Sequence, residues 1–94
     1  MAKSIQTGLA SFGLSGQVFH APFLEAHPGF ELTKIWERTK SLSAEKYPGS
    51  QIVRHFDHLL DDDAIELIIV NTPDQTHYEY TKKALQAGKH VVVE

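Results

Sequence analysis

Residues 66–94 read ELIIVNTPDQTHYEYTKKALQAGKHVVVE, and this stretch decides the fold. Glu66–Val70 is a continuous apolar run, as expected of a strand buried on both faces of a parallel sheet. Thr76-His77-Tyr78-Glu79 matches a capping box and predicts a helix start. Gly88 falls where a left-handed C-terminal cap is expected. His90–Val93 then predicts a second apolar strand. Strand, helix, strand at this spacing is a parallel crossover unit.

Upstream, the alternation continues. Ser4–Ala10, Phe30–Glu37 and Gln51–Arg54 read as strands. A helix is expected from near Gly13, with a break at Pro22 and a second short helix carrying that proline in its first turn. Ser41–Tyr47 reads as a short helix capped by Ser41 or Ser43, and Phe56–Leu60 as one helical turn. Right-handed crossovers turn this β-α-β-α-β-α-β-α-β order into a doubly wound, Rossmann-type parallel α/β sheet of about five strands, order 3-2-1-4-5.

The 94 residues make one small domain, 41% hydrophobic and 22% charged, with a net charge of -3. That balance excludes a disordered tail, and no basic stripe offers a footprint for nucleic acid. Zero cysteines exclude disulfides, thiol nucleophiles and Cys-based metal sites. Met1–Lys3 leads into an apolar run too broken for a secretory segment, and no stretch approaches a membrane span. A cytoplasmic protein with no membrane partner is expected. Asp61-Asp62-Asp63 reads as a solvated turn, and His55 and His58 as surface residues, so no metal is expected.

Three constellations carry chemistry. In Ser11-Phe12-Gly13-Leu14-Ser15-Gly16, Gly13 and Gly16 fill the second and third positions of a G-x-G-x-x-G dinucleotide turn, and Ser11 replaces the first. Glu37 lies 21 residues after Gly16, at the tip of the neighbouring strand, where a carboxylate can accept both ribose hydroxyls of NAD. Arg38 and Lys40 work the other way and suit the 2′-phosphate of NADP, so the choice stays open. Asn71, Thr72, Pro73 and His77 follow the central strand at the expected switch-point crevice. From the residues alone, a turn-and-cap role suits this last group better than ligand contact. An S-adenosylmethionine-dependent methyltransferase shares the acidic residue but fits the glycine pattern and the Asn-Thr-Pro loop poorly.

The stretches 13–22 (GLSGQVFHAP), Glu37-Arg38, 70–77 (VNTPDQTH) and 87–94 (AGKHVVVE) resemble the N-terminal half of the glucose–fructose oxidoreductase / inositol dehydrogenase / MocA (Gfo/Idh/MocA) family. The resemblance implies an NAD(P)-dependent oxidoreductase acting on a sugar, polyol or related hydroxyl or carbonyl compound. It implies that Phe12, Gly13, Leu14 and Ser15 cradle the pyrophosphate and that Glu37 and Arg38 meet the adenosine ribose. It also implies that Asn71, Thr72, Pro73 and His77 line the nicotinamide side and that Glu94 opens the Glu-Lys-Pro motif, whose next residue is the family's catalytic lysine. The expectation is therefore a truncated cofactor half, residues 1–94, lacking the catalytic lysine and the substrate domain. Such a piece is expected to be inactive, to meet a small-molecule substrate only with the missing domain, and to self-associate through an exposed edge strand. The alternative is a non-catalytic NAD(P)-sensing module on the same fold.

Overall fold

The computed structural model describes residues 4–94; Met1–Lys3 lie outside the described residues. Five strands, β1 (Ile5–Leu9), β2 (Phe30–Trp36), β3 (Gln51–Val53), β4 (Leu67–Val70) and β5 (His90–Val93), form a single sheet of order β3-β2-β1-β4-β5. Every pairing is parallel, as the crossover pattern predicts. One irregularity lies between β1 and β2: Thr7 pairs with Leu32 but Gly8 with Lys34, so Thr33 is the extra residue.

The helices α1 (Ala21–Ala26), α2 (Ser43–Lys46), α3 (Asp57–Leu60) and α4 (His77–Gln86) connect the strands. Alternation along β4 splits the core into two layers. Ile68 and Val70 pack with Phe56, Leu59 and Ala84 on the face covered by α3 and α4, while Ile69 packs with Leu9, Ala21 and Leu24 beneath α1. The run that looked apolar throughout is therefore buried on both sides, with Ile68 and Val70 fully so. Among the described residues, no helix is long and apolar enough to cross a membrane.

Two local expectations are corrected. The chain does not break at Pro22. Helical backbone runs continuously from 14 to 26, and Gly16–His20 is π-helical, with the Ala21 N–H bonded to Gly16 O. Widening the turn ahead of Pro22 gives its ring room, and the proline still sits in the first turn of α1. Nor does Thr76 close a capping box. Its hydroxyl faces backward, 2.7 Å from both Thr72 Oγ1 and Pro73 O, because residues 74–76 form a 3₁₀ turn before α4. Gly88 does take the left-handed conformation, with φ +80°.

Candidate cofactor site

β1 and β4 are neighbours whose following helices leave on opposite faces, and this divergence opens a crevice at the carboxyl ends of β1, β2 and β4. Its volume is about 440 Å³. The walls are the turn after β1 (Ser11, Phe12, Gly13), the loop after β2 (Glu37–Lys40) and the start of the loop after β4 (Thr72, Pro73).

The first wall is a tightly organised turn. Ser11 Oγ accepts the Gly13 N–H at 3.1 Å, so the hydroxyl at the departed glycine position folds into the turn itself. Gln17 closes the other side, its N–H bonding Gly13 O and its side-chain amide bonding Phe12 O, each at 3.0 Å. A Cβ on Gly16 would stand 2.4 Å from Ser11 O, whereas one on Gly13 would meet only Ser11 Oγ at 3.4 Å. Gly16 thus permits close packing of helix and turn, while Gly13 borders open space. Asn71 ties this turn to β4, its Nδ2 donating to Ser11 O at 2.9 Å and to Ser15 Oγ at 3.4 Å. Its Oδ1 is buried and has no partner. The helix opening at Leu14 directs amides without intrahelical carbonyls toward the turn. Amides at a helix opening and an open glycine fit a diphosphate-bearing ligand, whereas the buried Asn71 Oδ1, itself an acceptor, calls for a donor instead.

At the second wall the sequence expectation and the geometry part company. Glu37 is at the crevice, but its carboxylate turns inward. It accepts the Leu42 N–H at 3.0 Å, the Ser43 N–H at 3.1 Å and the Ser43 hydroxyl at 2.6 Å. A side chain six residues back therefore caps α2, and neither Ser41 nor Ser43 makes the expected cap bond. Arg38, Thr39 and Lys40 are exposed between Glu37 and α2, with the Arg38 guanidinium 5.4 Å from the centre of the Trp36 ring.

Beyond the third wall lies a polar cluster. His77 Nε2 is 2.6 Å from Thr72 O, and His20 Nε2 is 2.6 Å from Glu94 Oε1. The His20 contact holds the Glu94 carboxyl below the usual carboxylate range, with Ser15 and His77 adding to the effect.

Of the residues singled out from sequence, Phe12, Gly13, Glu37, Arg38, Thr72 and Pro73 line the crevice. Gly16 and Asn71 stand behind it as scaffolding, and Ser15, His77 and Glu94 belong to the adjoining polar cluster. Leu14 is largely exposed at the helix start. Gln17, Trp36 and Thr39 also line the crevice and were not marked as ligand contacts. Their signal was position: each flanks a recognised motif at a strand's carboxyl end. His55 and His58 stack edge to face at 5.3 Å, and no metal-holding cluster occurs among the described residues.

Comparison with known proteins agrees with this fold. Residues 5–94 match the oxidoreductase family described as having an NAD-binding Rossmann fold. The chain is 41% identical to the scyllo-inositol 2-dehydrogenase (NADP(+)) of Bacillus subtilis, over 97% of this chain and 25% of that protein. A crystal structure of a protein from Bacteroides fragilis superposes with TM-score 0.95 at 63% identity, covering 97% of this chain and 28% of the other. A 3-ketoreductase from Actinomadura kijaniata, in complex with NADP and TDP-benzene, gives TM-score 0.86 at 30% identity over 97% and 29% of the two chains. The chain thus spans about a quarter of the length of the relatives it matches. It belongs to the Gfo/Idh/MocA oxidoreductase family, of which residues 5–94 are the NAD-binding Rossmann fold.

Proposed function

We propose that this chain is the NADP-preferring cofactor half of a cytoplasmic oxidoreductase acting on a hydroxyl or carbonyl carbon of a sugar, polyol or similar compound. The observation that carries the preference is the commitment of the Glu37 carboxylate to the start of α2. A carboxylate free at the ribose would repel a 2′-phosphate. With that charge drawn inward, Arg38 and Lys40 are the exposed charges on this wall and suit a phosphate. The NADP named for two relatives supports the same reading.

The roles follow from the walls. Amides opening the helix at Leu14 and Ser15 receive the pyrophosphate, and Gly13 gives it room. Gly16 and Asn71 hold the turn in place. Thr72 and Pro73 border the nicotinamide side, with His77 orienting that loop through Thr72 O and Glu94 closing the polar cluster beside it. Bound nicotinamide supplies hydride chemistry; the protein supplies orientation and electrostatics. The groups that hold substrate and transfer its proton come from further chain, in keeping with relatives about four times as long.

Calorimetric titration of the chain with NADP⁺, NAD⁺ and S-adenosylmethionine tests this reading. NADP⁺ is expected to bind at least about tenfold more tightly than NAD⁺, a difference of about 1.4 kcal/mol. Tighter binding of S-adenosylmethionine, or of neither dinucleotide, overturns it.

A further inference from the structure

Arg54 follows β3 directly, at the carboxyl end of the strand beside β2. The Glu37 N–H bonds Val53 O at 3.1 Å, which sets Arg54 level with the loop that follows β2. Its guanidinium reaches into that loop. Nη1 donates to Glu37 O at 3.0 Å and to Lys40 O, and Nη2 donates to Ser41 Oγ at 2.9 Å. No carboxylate pairs with it among the described residues.

Two ties therefore hold residues 38–40. Glu37 draws the start of α2 inward from below. Arg54 joins both ends of the loop, Glu37 and Lys40–Ser41, from the β3 side. Without these bonds the exposed segment would sample many shapes and would have to be ordered at the moment of binding. A planar guanidinium can reach separated acceptors on one rigid fork; a lysine ammonium cannot bridge them in the same way.

We propose that Arg54 is a positioning residue that pre-shapes the Arg38-Thr39-Lys40 loop for a 2′-phosphate and so sets the preference between NADP and NAD. This deepens the proposed function and rests on it.

The test is the ratio of NADP⁺ to NAD⁺ affinity, measured calorimetrically on the chain and on its Arg54→Met, Arg54→Lys and Ser41→Ala variants, with amide hydrogen exchange at residues 38–41. Arg54→Met is expected to lower NADP⁺ affinity about tenfold while NAD⁺ affinity changes less than about twofold. Arg54→Lys, which keeps the charge but loses the fork, should recover only part, and Ser41→Ala should lose about two- to threefold. Loop amides should exchange faster in each variant without ligand. If Arg54→Met does not fold, the other two variants carry the same ratio test. An unchanged ratio, equal loss of both dinucleotides, or full recovery by Arg54→Lys overturns the assignment. Failure of the unaltered chain to bind either dinucleotide instead overturns the reading of the crevice, and this assignment with it.

Discussion

The α-hydrogen that a side chain would replace on Gly16 faces the carbonyl oxygen of Ser11, leaving only 2.4 Å for a Cβ. Backbone opposes it, so the clash cannot be relieved by a rotamer change. Gly16→Ala should therefore lower stability by about 1–3 kcal/mol through overpacking. Gly13→Ala should leave the fold intact, because Gly13 has no positive φ and its Cβ meets only Ser11 Oγ at 3.4 Å. Its effect should fall on the ligand, with dinucleotide affinity down about tenfold. Urea unfolding and calorimetric titration of both variants separate the roles; equal stability losses would contradict the assignment.

Glu37 gives a second separation. Replacing it with alanine leaves the Leu42 and Ser43 amides without their acceptor, and Ser43 is buried. Stability should fall by about 1–3 kcal/mol. If Glu37 served the ribose alone, NAD⁺ affinity would drop and the urea midpoint would hold. A midpoint that moves little would argue for the ribose role.

What was legible in the sequence follows from which signals are local. Glu66–Val70 and His90–Val93 declared a parallel sheet because apolar runs admit few other uses, and Gly88 declared the end of α4 because its backbone angle excludes most side chains. The glycines at 13 and 16 marked the crevice but not their different work, which depends on where Ser11 O lies. Glu37 was found by spacing, yet its partners were not. A carboxylate at a strand tip reads the same whether it faces a ribose or the amides of a helix six residues on. Arg54 was invisible for the same reason, since its acceptors are 13 to 17 residues away and meet it only once β3 lies beside β2. Pro22 misled because its cost in a helix is local, while the π turn that absorbs it was not foreseen.

Acid stability should depend on Asp62. Its carboxylate accepts the Ala64 N–H at 2.9 Å and pairs with Lys34 at 3.1 Å. Its pKa is lowered from 3.8, first by that amide and then by Lys34 and Lys89. A lowered pKa means the charged form stabilises the fold above the ordinary value. That contribution disappears as pH falls through the lowered one. Asp62→Asn should therefore flatten the drop in melting temperature below about pH 4 while lowering the melting temperature near neutrality. Parallel curves for the two proteins would remove Asp62 from the account.

The chain by itself should show no dehydrogenase turnover. The crevice offers ligand-holding groups, and substrate-holding groups are assigned to further chain. NADPH formation from NADP⁺ and inositols or aldoses, followed by absorbance, should stay at background for the 94-residue protein. It should appear when the chain is joined to the remainder of a relative such as the Bacillus subtilis dehydrogenase. Turnover by the chain alone would place a reacting group within these residues.

Association is the remaining consequence of the sheet. β5 ends the strand order, so its outer side has no strand partner among the described residues. Val92 and Val93 are each 46% exposed, and Val92 shares a shallow apolar groove with Phe19 and Phe23. An open edge beside exposed apolar side chains favours pairing with another copy. Sedimentation equilibrium should show a mass that rises with protein concentration. Val92→Lys should suppress that rise, because a charge on an edge strand is costly to bury against a second strand. It should leave dinucleotide affinity unchanged, since Val92 is not on the crevice wall. A concentration-independent monomer in the unaltered chain would mean that the edge is sufficiently protected by its own geometry.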